Sequence, residues 1–137
     1  MILNICDFTD APGESVIQGW ATVLGISSRM RGRFDSKVDM LIKNGPGLSP
    51  QLLAGTKAGH IKKLKIKGDI QLRPHLCIGP IENDKEYTFL AGAVERDWRL
   101  IPEDVLIQAQ ACRTNLIKSN LTKNFPLRRI RHEPLSR

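Results

Sequence analysis

The stretch His60-Ile61-Lys62-Lys63-Leu64-Lys65-Ile66-Lys67-Gly68-Asp69-Ile70-Gln71-Leu72-Arg73 decides how the chain folds, because the spacing of apolar residues changes there from helical to alternating. Ile61, Leu64 and Ile66, interleaved with lysines, read as one strand. Ile70 and Leu72, with Gln71 and Arg73 on the other face, read as the next. Successive side chains of a strand point to opposite faces, so Lys63, Lys65 and Lys67 share the face opposite Leu64 and Ile66.

Upstream, Met1 to Phe8 alternates loosely as a first strand, and Asp10-Ala11-Pro12-Gly13-Glu14 is a turn cluster. From Ser15, Val16, Ile17, Trp20, Val23 and Leu24 recur at helical spacing until Gly25 stops them. Ser27 or Ser28 can cap a second helix, with Met30, Phe34, Val38, Leu41 and Ile42 as its apolar face. Arg29, Arg31, Arg33 and Lys37 occupy much of the remainder. Asn44-Gly45-Pro46-Gly47 ends that helix, and Ser49-Pro50 begins a loop.

Downstream, Pro74 and Pro80 imply an edge strand or a bulge between them. Glu82-Asn83-Asp84-Lys85 is a polar turn, and Glu86 to Val94 is a buried strand. Pro102-Glu103-Asp104 opens a last helix whose apolar positions are Val105, Leu106, Ala109, Cys112, Leu116 and Ile117. The order β-α-α-β-β-β-α implies an α+β fold: a small, mostly antiparallel sheet packed by a helical hairpin and a C-terminal helix. That domain occupies residues 1–117, and a basic C-terminal extension follows over 118–137.

A chain of 137 residues suits one domain with one core. No apolar run approaches the ~20 residues that cross a bilayer, and Met1 to Asp7 lacks the layout of a signal peptide, so a cytoplasmic protein is expected. Cys6, Cys77 and Cys112 form no C-x-x-C pair. With His60, His75 and His132 also lacking ligand spacing, no metal and no cofactor is expected. The net charge of +7 points to an anionic partner. Residues 1–53 balance at five cations and five anions, whereas 54–100 carry nine against six and 118–137 six against one.

The order of these elements resembles the RelE/HigB-like toxin group. His60 to Arg73 is similar to the group's "K-x-L … G-ϕ-x-E-L-R" signature, and Tyr87-Thr88-Phe89-Leu90-Ala91-Gly92-Ala93 to its next strand. Glu95-Arg96-Asp97-Trp98-Arg99 stands where the group has a Lys-Lys run. Pro102, Ala109 and Arg113 resemble its closing helix, and Arg33-Phe34-Asp35 to Leu41, with Gly45 and Leu48, its helix and turn. The resemblance covers roughly residues 15–117. It implies a toxin of a type II toxin-antitoxin system that cuts messenger RNA on the ribosome without metal or cofactor, partnered by a cognate antitoxin. A branch of the same fold, the ParE-like toxins, inhibits DNA gyrase instead.

Metal-free RNA cleavage needs a base for the 2′ proton, cations for the phosphorane and an acid for the leaving oxygen. Arg73 matches the group's strand-end arginine and is the candidate phosphate clamp, since a guanidinium pairs bidentately with phosphate oxygens. His75, two residues on, is the candidate titratable group, ahead of His60, Glu95 and Tyr87, and Arg96 completes the catalytic set. Lys62, Lys63, Lys65, Lys67, Arg99, Arg128, Arg129 and Arg131 are the candidate RNA contacts. Trp98 can stack on a base or anchor a loop. The tail can be a solvated extension, an arm on phosphates or a short helix. Gln71 stands where the group has glutamate, and residues 75–80 hold no arginine. These departures favour an alternative: a non-catalytic module of the same fold that binds nucleic acid or protein.

Overall fold

The computed structural model describes residues 4–11, 14–48, 51–82, 85–122 and 128–136. Parts of the expected first strand, of both turn clusters, of the loop at Ser49-Pro50 and of the tail lie outside the described residues. The fold is mixed α+β. Strand β1 (Asn4–Ala11) and the short β2 (Glu14–Ser15) precede helices α1 (Val16–Leu24) and α2 (Ser28–Asn44), and a 3-10 turn spans Gly45–Leu48. Strands β3 (Leu53–Gly55), β4 (Ile61–Leu64), β5 (Gln71–Leu72), β6 (His75–Ile78), β7 (Glu86–Ala91), β8 (Val94–Arg96) and β9 (Arg99–Ile101) follow. Helix α3 (Val105–Thr122) and strand β10 (Arg129–Arg131) complete the chain.

The helix boundaries follow their local chemistry. Ser15 caps α1 by accepting from the Gln18 backbone N–H, and Ser27 caps α2 by accepting from that of Met30. Gly25 ends α1 with a left-handed φ of 67°, its N–H returning to the Ala21 and Thr22 carbonyls. α3 begins at Val105, after Pro102, Glu103 and Asp104. The acids expected in its first turn therefore precede it, and the Asp104 carbonyl accepts from the Gln108 N–H.

The main sheet runs β10-β1-β7-β6-β4-β3, with β2 paired to β1. β1 lies parallel to β7, and the other pairs are antiparallel. A smaller sheet, β5-β8-β9, continues from the β4–β6–β7 end. Pro74 and Pro80 therefore flank a central strand rather than an edge; the expected irregularity is present as a register shift between His75 and Leu76. The run expected as one strand from Glu86 to Val94 divides at Gly92-Ala93, where it passes from the main sheet to the smaller one.

Two cores result, one on each face of the main sheet. Met30, Phe34, Val38 and Leu41 of α2 pack with Ile17, Leu64, Leu76 and Phe89 on one side. Val105, Ala109 and Leu116 of α3 pack with Phe8, Ile61, Cys77 and Leu90 on the other. Two glycines set how closely the smaller sheet approaches the helices. A Cβ at Gly92 would collide with the Trp20 ring of α1, and one at Gly68 with the Met30 side chain of α2.

The C-terminal residues join this fold. α3 runs through Thr122, across the boundary expected at residue 117. β10 pairs with β1, setting Cys6 opposite Arg131 and Phe8 opposite Arg129. The solvated-tail reading therefore does not hold for residues 128–136. Arg129-Ile130-Arg131-His132 alternates in the way a short strand does, a signal obscured by its charge. No helix among the described residues is long and apolar enough to cross a membrane.

Candidate nucleic-acid interface

The expected candidates separate into two groups at opposite ends of the sheet order. The first lies where β4 leads through an isolated Ile66–Leu72 bridge into β5. Lys63 is opposite His75 in the β4–β6 ladder, and the same register carries Lys65 opposite Arg73 and Lys67 opposite Gln71. Leu64 and Ile66 are fully buried on the other face, as alternation predicts. Gln71 in turn pairs with Glu95 of β8. One sheet face thus gathers Lys63, Lys65, Lys67, Gln71, Arg73, His75 and Glu95. Lys62 points to the opposite face, in register with Leu76.

Within this face the access differs sharply. Lys63 and Lys65 are half-buried and Lys67 is exposed, and among the described residues none of the three has a carboxylate partner. Arg73 is only 4 % exposed; its Nη1 donates to the Leu72 carbonyl at 2.8 Å and its Nε lies 3.5 Å from Glu95 Oε1. His75 is fully buried. Its Nδ1 lies 2.8 Å from the Arg73 carbonyl oxygen. A carbonyl only accepts, so Nδ1 carries the proton and Nε2 keeps a lone pair, which has no partner among the described residues. Burial pushes the His75 pKa below its ordinary 6.5, with Lys63 adding to that and the Arg73 carbonyl opposing it. The imidazole is accordingly neutral near pH 7. α3 packs on this side of the sheet against Cys77, Ala91 and Ala93.

Arg96 and Arg99 face each other across the β8–β9 pair, next to the turn that joins β4 to β5. Both are exposed, and neither side chain has a hydrogen-bond or ion-pair partner among the described residues. The pairing with Glu95 that their sequence neighbourhood suggests is not made, because Glu95 turns to Arg73. Arg33 of α2 reaches the same end and donates from Nη1 to the Lys67 carbonyl at 2.9 Å. Sequence reading places Arg33 on a helix face but not beside this hairpin. Of the remaining acid–base candidates, His60 is exposed and Tyr87 is 2 % exposed, with burial raising its pKa.

The second group, in the tail, is occupied differently. Arg129 Nη1 lies 3.2 Å from the buried Glu86 Oε1 and donates to Cys6 Sγ at 3.4 Å. The Arg128 carbonyl accepts from the Thr9 N–H, and Arg131 is exposed on the edge strand. β10 stands four strands from β4, roughly 19 Å at ~4.8 Å per strand. Beside it, Asp7 is 1 % exposed; it accepts from Ser15 Oγ at 2.7 Å and pairs with His132 Nδ1 at 2.8 Å. The His132 ring stacks at an angle between Phe34 and Phe89.

Other chemistries find little here. No group of three or more potential metal ligands is assembled among the described residues. Burial raises the Cys6 thiol pKa and pushes Cys77 up to about 12 and Cys112 up to about 11, so the three thiols stay protonated and unreactive near neutral pH. Comparison with family models, curated proteins and solved structures finds no match to this chain.

Proposed function

We propose that the chain is a RelE/HigB-like toxin that engages messenger RNA on the ribosome through the β4–β5 and β8–β9 end of its sheets. The observation that carries this is the convergence there of Lys63, Lys65, Lys67, Arg96 and Arg99, none neutralised by a carboxylate among the described residues. Unpaired cations aligned on strands suit a polyanionic backbone, because each phosphate contact releases a counterion. The mixed α+β fold, with helices packed on both faces of one sheet, supports this reading only at the level of fold class. The antitoxin implied by the resemblance would cover the same cationic face.

The test is inducible expression in a bacterium with primer extension on several transcripts, comparing the intact chain with a Lys63→Gln/Lys65→Gln/Lys67→Gln variant. Cleavage that requires translation and is lost in the variant is the expected result. Intact transcripts in cells holding abundant folded protein would overturn the nuclease reading. A second reading, RNA binding without cleavage, is favoured by one observation: Arg73 and His75 are both shut away from solvent. Under it, the intact chain binds RNA, the lysine variant does not, and no transcript is cut. ParE-like gyrase inhibition would appear instead as DNA damage with transcripts intact.

A further inference from the structure

Trp98 is 96 % exposed, more than any other large apolar side chain among the described residues. It occupies the two-residue turn between the paired Arg96 and Arg99. Both turn residues have positive φ, 52° at Asp97 and 68° at Trp98. This is the backbone pattern of a type I′ hairpin turn, whose usual sequences end in glycine because a Cβ is unfavourable there. A tryptophan at that position strains the backbone and gains no burial in return. Such a residue weakens its own hairpin, and what it offers is a bare aromatic face directed outwards.

Its neighbours specify what suits that face. Arg96 and Arg99 flank it on the two strands, both exposed and unpaired among the described residues, and Lys67 lies at the adjoining turn. A flat π surface beside two guanidinium groups matches an unpaired base and its neighbouring phosphates. Bases inside a duplex are already stacked on one another and do not present that face. We propose that Trp98 is a base-stacking residue for single-stranded RNA, with Arg96 and Arg99 holding the flanking phosphates. This rests on the RNA-binding reading above and narrows it to unpaired nucleotides.

The experiment titrates the intact protein with a short single-stranded RNA oligonucleotide and with the duplex of the same sequence, following tryptophan emission and anisotropy. The single strand is expected to quench emission and the duplex to do so weakly. Trp98→Ala is expected to lower affinity about tenfold or more, read from the anisotropy of a labelled RNA, with Trp98→Phe retaining most of the affinity. Trp98→Gly is expected to raise the melting temperature, since glycine relieves the positive φ, yet to weaken binding as much as Trp98→Ala. A residue with a merely structural role would not separate those two readouts. Binding by Trp98→Ala within twofold of the intact chain, or equal quenching by the duplex, would overturn the inference while leaving RNA binding in place. Failure of the intact chain to bind RNA at all would remove both.

Discussion

The β8–β9 hairpin and the β10 edge strand carry the same kinds of residue and use them in opposite ways. Each holds two arginines with a carboxylate nearby, Glu86 at β10 and Glu95 at the hairpin. At β10, Arg129 is drawn inward to the buried Glu86, and His132 to the buried Asp7. At the hairpin, Glu95 turns away to Arg73, leaving Arg96 and Arg99 in solvent. A cation next to a buried carboxylate becomes part of the fold, because removing it would strand a charge away from water. A cation whose acidic neighbour is engaged elsewhere stays available to a partner. Net charge therefore overstates the binding surface of this chain, since part of the tail's charge is internal.

The largest effect expected from breaking this contrast is at Asp7. Asp7→Ala leaves Ser15 Oγ and the His132 ring without their buried acceptor and should cost about 3 kcal/mol in urea denaturation. A loss below about 1 kcal/mol would show that β10 is held by backbone pairing alone. Arg129→Gln strands Glu86 and should cost about 2 kcal/mol, whereas Arg96→Gln and Arg99→Gln should each stay within about 0.5 kcal/mol of the intact chain. Equal stabilities for all three variants would erase the distinction between the two regions.

pH sharpens the same contrast at His75. Its folded pKa is depressed, so between 6.5 and that lower value the unfolded chain binds the extra proton. The His75 contribution is fully present above pH 6.5 and is lost as pH falls towards the folded value. Denaturation midpoints should therefore decline between pH 7 and pH 5, and the decline should be shallower in His75→Leu. An unchanged slope in that variant would mean the imidazole is not held neutral by burial. The smallest effect on stability is expected from Lys63→Gln/Lys65→Gln/Lys67→Gln, within about 0.5 kcal/mol. Its signature lies in RNA binding, where the slope of log affinity against log salt should fall by roughly 2, at about 0.7 per phosphate contact on a single strand. An unaltered slope would move the interface away from β4.

Part of the site was legible before the fold. Alternation around Leu64 and Ile66 was enough to put Lys63, Lys65 and Lys67 on one face, and Ser15, Gly25 and Ser27 marked helix ends through bonds that span only a few residues. The β8–β9 hairpin was not legible, because Asp97-Trp98 lacks the glycine by which such turns are recognised. Arg33 beside Lys67 joins residues far apart in the chain and has no local signal.

The sequence by itself determined where α1 and α2 start and stop, which residues alternate into the core and that cationic charge is in excess, because periodicity, capping and composition are local properties. Only the tertiary structure decided which of those charges face water. Arg73 and Arg96 look equivalent as residues; one is buried against Glu95 and the other projects from a hairpin. Whether a cation serves the fold or a partner depends on burial and on the nearest carboxylate, and both are fixed by strand register and by the helix packed across the sheet.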